Sequence, residues 1–416
     1  MDNGMRVVVS PDHTVPIVAV NIWYDVGSKD EQPGQSGWAH LFEHLMFQGS
    51  ANVASGEHLN LLQSVGGSAN ATTSFDRTNY FETVPTGALD LALWLEADRL
   101  ATLPDHLTEE SIATQQEVVK EERRQRYDNV PYGDSLEHLL KIAFPPDHPY
   151  GHSVIGSMAD VDSATAETAA DFFRQHYLPQ NAVISLVGDI KPHKGFKKVE
   201  KYFGSIPGGK RVERKPTPPL PALKDIPTVW LHEDVPATSV RWVWRLPKRD
   251  TPGTDAAMLA LAILADGPTS RLERKLVREL NISTGVSGGV FDLREGTSLG
   301  MLALLAFPGV HIEDARKALT AEIQKFCDEG PTKAEVERAK TSALVGTLHD
   351  LGRYENRADA FSEYTTMYGD PDRANRRVSE LLSLSAKDIH EAANQYLDVA
   401  KRGVLLYEVK EDDEKA

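Results

Sequence analysis

The spacing of apolar residues predicts both strands and helices in the first half of the chain. Alternation predicts strands in MRVVVS, from Met5, and IVAVNIWYDV, from Ile17, while NATTSFDRTNYFETVP indicates a strand pair around the turn-forming FDRTN. The strand NAVISLVGDI closes this part of the chain. Helical spacing predicts five helices, the second with Ser55 as its N-cap: Gly37–Phe47, Ser55–Val65, Thr86–Leu100, Thr108–Arg126 and Ser163–Tyr177.

The second half of the chain repeats the first at a nearly constant offset. VPIVAVNIWY, from Val15, returns as VPATSVRWVW, from Val235, and Tyr177 in FFRQHYLPQNAVISLVGDI is matched by Tyr396 in AANQYLDVAKRGVLLYEVK. A Pro-Gly pair recurs at the same spacing. This internal duplication predicts an α+β fold of two homologous domains, each a mixed, mostly antiparallel sheet covered by helices.

The predicted boundary between these domains is a segment rich in proline and charge. GSIPGGKRVERKPTPPLPALKDIP has no usable periodicity, which is typical of a linker. We therefore predict an N-terminal domain over residues 1–205, a linker over 206–226 and a C-terminal domain over 227–416.

Charge and apolar content exclude several classes of partner. The chain has 416 residues with 45 Lys and Arg against 61 Asp and Glu, a formal charge of -16, which disfavours nucleic acid and anionic membranes. The longest apolar run, Ala256 to Ala265, is too short to span a bilayer, so a soluble protein is expected. The start lacks a signal-peptide pattern, but strand-like residues begin at Met5. The compartment is therefore periplasmic or extracellular if a signal peptide was removed, and otherwise cytoplasmic.

A single cysteine limits the chemistry of any metal site. Cys327 has no second cysteine with which to form a disulfide or a cysteine-based zinc site. Any bound metal must therefore be held by His, Asp or Glu.

Two histidines and a glutamate interrupt an otherwise apolar helix in GWAHLFEHLMFQGS. His40 and His44 are four residues apart, so their rings lie one turn apart on one face and can bind a single ion. Neutral imidazoles suit zinc, and a hydrolytic zinc site has three protein ligands and one open position. Glu43 would then be free to accept a proton from water and return it to a leaving amine.

The alternative is that these three polar side chains simply find partners in a core or at the surface. The duplication argues against it. At the shared offset, the trio lies opposite three apolar residues of the second half, Leu259, Ala262 and Ile263. The fold itself does not require polar residues at these positions, which favours a function for them in the first half.

The third metal ligand must come from elsewhere, and TQQEVVKEERRQRYDNVPYG offers Glu121 and Glu122. Adjacent helical side chains diverge by about 100°, so only one of the two can face the ion. Glu122 follows Val118 by four residues and Val119 by three, at the edge of the apolar stripe, which favours it. Periodicity alone leaves both glutamates open.

HLFEH, followed by a helix containing EVVKEERRQ, resembles the H-x-x-E-H motif of the inverted zincins, the pitrilysin and insulinase family of zinc metallopeptidases. The likeness covers the whole chain, including DNGMRVVVSPDH, NATTSFDRTNYFETVP, YLPQNAVISLVGDI and DGPTSRLERKLVREL. The chain has the size of the two-domain, short-chain members, such as the mitochondrial processing peptidases and their bacterial relatives.

The resemblance implies roles for individual residues. His40, His44 and Glu122 correspond to the ligands of one Zn²⁺ per chain, and Glu43 corresponds to the catalytic base. Gln115 stands seven residues before Glu122, where many members have a supporting glutamate, and it keeps a hydrogen-bonding group.

The substrate-binding residues implied by the resemblance are less complete. Asn70, Ala71 and Thr72 look like the edge strand to which the substrate peptide adds as a further strand. Arg278 fits a substrate-holding arginine. The tyrosine that accompanies this arginine in the family is missing, with Thr284 or Gly285 at its place.

In short-chain relatives, two chains face each other and enclose a chamber. The resemblance therefore implies a zinc endopeptidase that hydrolyses peptides or unfolded segments in such a chamber, as a homodimer or as a heterodimer with a related subunit that supplies an Arg/Tyr pair. The alternative is a non-catalytic peptide-binding or assembly subunit of a processing-peptidase-like complex.

Overall fold

A computed structural model describes residues 1–210, 214 and 216–410. The predicted linker 206–226 lies partly outside these residues. The strands, in chain order, are β1 Arg6–Pro11, β2 Ile17–Tyr24, β3 Ser68–Thr73, β4 Thr78–Pro85, β5 Ala182–Gly188, β6 Thr228–Glu233, β7 Ser239–Pro247, β8 Ser283–Phe291, β9 Thr297–Ala306 and β10 Gly403–Val409.

The α-helices of the same residues follow one another along the chain with a few short 3-10 and π-helical segments between them. They are α1 Trp38–Leu45, α2 Glu57–Ser64, α3 Leu89–Thr102, α4 Glu109–Arg123, α5 Ser135–Ala143, α6 Met158–Asp162, α7 Ala166–His176, α8 Pro192–Phe203, α9 Pro252–Ala265, α10 Ile312–Glu329, α11 Lys333–Leu351, α12 Tyr354–Tyr368, α13 Arg373–Ser383 and α14 Ala386–Tyr396.

The strands form two five-stranded sheets with the same topology. The first has the order β1-β5-β2-β4-β3 and the second the order β6-β10-β7-β9-β8. In each sheet one pair is parallel, β1 with β5 and β6 with β10, and the other pairs are antiparallel. The predicted α+β fold with two mixed, mostly antiparallel sheets is confirmed, and the equal strand orders match the sequence duplication.

The segments that pack with each sheet differ from the contiguous domains 1–205 and 227–416. One compact unit contains Met1–Arg123 and His152–Arg214 together with Gly346–Arg377, and the second compact unit includes Arg124–Gly151 from the first half of the chain. The two halves thus exchange one helical segment each. Sequence periodicity marks α5 and α12 as helices but does not reveal which sheet they cover.

The exchanged helix α12 is fixed to the first sheet by a buried polar cluster. Asp359 accepts hydrogen bonds from Trp23 Nε1 at 2.6 Å, Asn79 Nδ2 at 2.8 Å and Asn21 Nδ2 at 3.2 Å. Ala358 packs beside these contacts against small side chains of the sheet. Three donors aimed at one carboxylate explain why these strands place polar residues on a face that is otherwise buried.

Candidate metal centre

A fixed start orients helix α1, which carries the histidine motif. Gly37 adopts a left-handed conformation at φ 98°, and a Cβ there would lie 2.7 Å from the Ile155 carbonyl oxygen. The Glu31 carboxylate accepts hydrogen bonds from the backbone N–H groups of Gly37 and Ala39 at 3.0 and 2.8 Å. Because the first N–H groups of a helix have no partners within it, this carboxylate fixes where α1 begins. The N-cap of the next helix, α2, is Gly56 rather than the predicted Ser55.

The two faces of α1 have different environments. Leu41, Phe42 and Leu45 are buried, and the ring of Phe42 stacks on Phe172 with 4.9 Å between centroids. The side chains of His40 and His44 keep 11% and 22% of their surface exposed. Helix packing thus places the apolar face inside and leaves the two imidazoles accessible to solvent.

Three potential ligand atoms meet at this accessible face. His40 Nε2 and His44 Nε2 are 3.4 Å apart, and Glu122 Oε2 lies 3.6 Å from the first and 3.4 Å from the second. Zinc bonds of 2.0–2.1 Å at tetrahedral angles require ligand atoms about 3.4 Å apart. The three atoms already have the spacing of one face of a zinc tetrahedron, and the fourth position would remain for solvent or substrate.

Glu122, rather than its neighbour, is the glutamate that faces the histidines. Its side chain is 17% exposed, whereas Glu121 lies on the exposed surface of α4. Val119 is fully buried and Val118 is 42% exposed, so the buried stripe of α4 runs through Val119 and Glu122. The helix changes to π-helical geometry at Arg124, just after the ligand position.

Glu43 lies between the two histidines in sequence but is turned towards strand β3. Its Oε2 accepts a hydrogen bond of 2.6 Å from Thr73 Oγ1. Burial raises the pKa of Glu43, and the hydrogen bond from Thr73 and the charges of His44 and Arg77 act in the opposite direction. The carboxylate is therefore held in place by β3, outside the group of three ligand atoms.

The other predicted residues of the first unit lie near this centre in the fold. Gln115 is buried on α4, two turns before Glu122. Asn70, Ala71 and Thr72 lie on β3, which is the edge strand of the first sheet and pairs only with β4 among the described residues. An edge strand presents unpaired N–H and C=O groups, which is the property required for addition of a peptide strand.

The predicted substrate-holding arginine belongs to the second unit. Arg278 is exposed in the π-helical segment Glu273–Glu279. Thr284 and Gly285, where the resemblance expects a tyrosine, lie at the start of β8 beside an irregularity in its pairing with β9. The role of Arg278 stays a prediction.

A second group of ionisable side chains was not recognised in the sequence. His58, Glu82 and Glu96 are buried, and His58 Nε2 lies 3.2 Å from Glu82 Oε1 and 3.8 Å from Glu96 Oε1. Their spacing would suit a metal, but the guanidinium of Arg99 binds both oxygens of Glu96. Arg99 also donates to the carbonyl oxygen of Met46, the C-cap residue of α1, at 3.4 Å. We interpret this group as a charge cluster that supports the end of α1.

Burial determines the protonation of this charge cluster, which comprises His58, Glu82, Glu96 and Arg99. It raises the pKa of Glu82 well above its ordinary value, with the adjacent Glu96 acting in the same direction. It lowers the pKa of His58 to about 2, with Arg99 adding to the effect. A proton on Glu82 can be donated to Glu96, and Arg99 balances the remaining negative charge. No signal in the sequence distinguishes these residues, since they come from α2, β4 and α3 and meet only in the fold.

The arrangement defines a class of site: a helix-borne histidine pair, a glutamate from a second helix, and a further carboxylate beside them, as in zinc-dependent hydrolases. Residues 6–157 match the protein family described as Insulinase (Peptidase family M16), and residues 163–343 match the family described as Peptidase M16 inactive domain. The chain belongs to the insulinase, or pitrilysin, family of peptidases. The candidate metal centre lies in the part of the chain matched by the first description.

Similar proteins span almost the whole chain. Zinc protease PqqE of Helicobacter pylori is 29% identical over 407 residues, which cover 95% of this chain and 89% of the relative. Uncharacterized zinc protease Rv2782c of Mycobacterium tuberculosis is 25% identical over 400 residues, 95% of this chain and 90% of the relative. These relatives are named as zinc proteases.

Solved structures show the same fold. The crystal structure of a protease from Helicobacter pylori aligns with a TM-score of 0.88 at 28% identity and covers 98% of both chains. A peptidase M16 inactive domain from Pseudomonas fluorescens aligns with a TM-score of 0.86 at 18% identity over 97% of this chain and 95% of its own. In the present chain, no described helix is long and apolar enough to cross a membrane.

Proposed function

We propose that this chain is a zinc-dependent endopeptidase that hydrolyses peptides or unfolded protein segments within an enclosed chamber. The observation that carries the proposal is the spacing of His40 Nε2, His44 Nε2 and Glu122 Oε2, which are 3.4–3.6 Å apart. Glu43 lies on the same helix, outside this group. The names of the relatives as zinc proteases support the choice of metal.

In this proposal each residue has a distinct task. His40, His44 and Glu122 hold one Zn²⁺, which would polarise the substrate carbonyl and acidify water. Glu43 takes the proton from the attacking water and delivers it to the nitrogen of the leaving amine. Thr73, by donating to Oε2 of Glu43, keeps the carboxylate in one orientation. Gln115, which is buried on the same helix as Glu122, would help to hold that helix in place.

The substrate in this proposal is an extended segment that pairs with β3. Main-chain hydrogen bonds to an edge strand do not depend on side chains, so they suit a peptidase that accepts many sequences. Asn70, Ala71 and Thr72 would form that edge. A folded protein cannot offer a free strand in this way, which restricts cleavage to peptides and unfolded segments.

A second chain completes the enzyme in this proposal. The resemblance assigns substrate-holding roles to an arginine and a tyrosine, and this chain has Arg278 but Thr284 and Gly285 in place of the tyrosine. We therefore propose a dimer, either of two identical chains or with a related subunit that supplies the Arg/Tyr pair.

Metal binding by adjacent glutamate variants tests the ligand assignment. We expect Glu122→Gln to weaken zinc binding at least about 100-fold, because loss of partners outside the ligand shell already costs 10–100-fold. Glu121→Gln, the matched control, should bind about one zinc per chain and cleave a fluorogenic peptide like the wild type. The measurements are zinc titration against a competing chelator and hydrolysis by the zinc-loaded chain. Loss of zinc from Glu121→Gln with retention in Glu122→Gln would reverse the assignment.

A further inference from the structure

The second sheet has an apolar hollow on the face opposite helix α9. Gly288 of β8 faces α9, since a Cβ on it would lie 3.0 Å from the side chain of Ala265. The neighbouring residues of β8 therefore point to the other face, where α5 lies. Helix α5 covers β7 and β10 on this face, but over β8 and β9 a hollow of about 400 Å³ remains. This volume is within the range of small-molecule pockets.

Small residues in register create the hollow. Arg241 of β7 pairs with Ala303 of β9, which pairs with Ser287 of β8. Two residues along the strands, on the same face, Met301 of β9 pairs with Gly289 of β8. A Cβ built on Gly289 meets no atom within 4 Å, so its position opens into free space. Four further residues of α5 and β8 complete the hollow on this face, three of them apolar: Ser135, Leu136, Leu139 and Phe291.

Arg241 provides the positive charge of the hollow. Its Nη1 donates to Ser135 Oγ at 3.0 Å, and its guanidinium lies over the rings of Tyr132 and Tyr407 at 5.1 and 5.8 Å. Its Nε is buried without a hydrogen-bond acceptor, and it forms no ion pair with a carboxylate among the described residues. A partly buried cation without a carboxylate partner is unfavourable unless an anion binds to it.

The carboxylate whose charge acts on Arg241 already has hydrogen-bond partners. Asp134 acts on Arg241 electrostatically, but its two oxygens interact with Tyr407 Oη at 2.5 Å and His138 Nε2 at 3.0 Å. Nη2 of Arg241 has no hydrogen-bond acceptor among the described residues and is not fully buried, so it remains for a ligand.

We propose that this hollow binds a medium-chain fatty acid, with the carboxylate on Arg241 and the hydrocarbon along β8 and β9. An apolar lining with one cationic group complements a ligand with one anionic end. The side chains that line the hollow are mostly apolar, so away from the outer edge of β8 it offers few hydrogen-bond partners for peptide groups. A buried peptide with unsatisfied amides would be unfavourable, and a hydrocarbon chain has none.

Calorimetric titration of the full chain with decanoate tests this proposal without measuring hydrolysis, so its failure is distinct from failure of the proposed peptidase function. We expect saturable binding of one decanoate per chain and at least tenfold weaker binding of decanol, which lacks the charge. Absence of decanoate binding at millimolar concentration would overturn the proposal. So would tighter binding of a short peptide ending in leucine.

Three variants locate the binding site. Gly289→Leu should abolish decanoate binding, because its side chain fills the hollow. Gly285→Leu is the matched control, since its Cβ position on the same strand is equally open but outside the lining, and it should bind like the wild type. Arg241→Gln should weaken decanoate binding at least tenfold but leave decanol binding unchanged. Wild-type decanoate affinity in Gly289→Leu with native circular dichroism would exclude this site.

Discussion

Replacing Glu43 by glutamine is expected to lower kcat for peptide hydrolysis by about 10²–10⁴-fold, the usual contribution of a general base, while zinc binding stays close to that of the wild type. Glutamine keeps the shape of the side chain and an oxygen that can accept the hydrogen bond from Thr73, but it cannot take a proton from water. Because Glu43 lies outside the three ligand atoms, the metal site should remain intact. Single-turnover cleavage of a fluorogenic peptide and zinc content by emission spectrometry measure the two properties.

The control for this substitution is Glu121→Gln, which makes the same chemical change on the exposed surface of α4. It should leave both kcat and zinc content unchanged. Equal cleavage by wild type and Glu43→Gln would show that another group moves the proton. Loss of zinc from Glu43→Gln would instead show that the carboxylate takes part in binding the metal.

The proximity of the two histidines in the candidate metal centre could be predicted from the sequence because it depends on one helix. His40 and His44 lie one turn apart wherever the helix is, and the apolar residues at the duplicate positions show that the fold does not need them. The repeated strand pattern likewise predicted two sheets of similar topology, since alternation and duplication are visible in the chain itself.

The rest depended on tertiary packing. The choice between Glu121 and Glu122 needs the rotation of α4, which became clear only when Val119 proved to be buried and Val118 exposed. The exchange of α5 and α12 between the two units has no periodic signature, because a helix shows the same spacing whichever sheet it covers.

The charge cluster was missed for a related reason. Its members come from three elements and carry polar or charged side chains, which are usually exposed. Glu82 shares the buried face of β4 with Tyr80 and Val84 and is 2% exposed, but a carboxylate between apolar residues does not reveal from the sequence which partners it meets. Its protonation state has a measurable consequence for the stability of the fold.

The two unusual pKa values of the charge cluster act on stability in opposite directions. Glu82 keeps a proton in the folded chain that it releases above its ordinary pKa of 4.5 when unfolded, so its contribution is lost as the pH rises from 4.5 towards the raised pKa. His58 stays neutral in the folded chain, and the unfolded chain takes up a proton below 6.5, so stability falls as the pH drops below 6.5. Between pH 4.5 and pH 6.5 the effects of Glu82 and His58 on stability oppose each other. Above pH 6.5 only the effect of Glu82 remains.

Glu82→Gln is therefore expected to become progressively more stable than the wild type as the pH rises above 4.5, by up to about 1.4 kcal/mol per pH unit. Glutamine mimics the protonated carboxyl group and can still donate to Glu96, but it has no proton to lose. Urea unfolding at pH 5.0, 6.5 and 8.0 measures the difference in the free energy of unfolding. Glu117→Gln, an exposed carboxylate on α4 whose side chain is 68% accessible, should show a constant difference from the wild type. A constant difference for Glu82→Gln as well would mean that Glu82 is ionised in the folded chain and that the charge of Arg99 is balanced in another way.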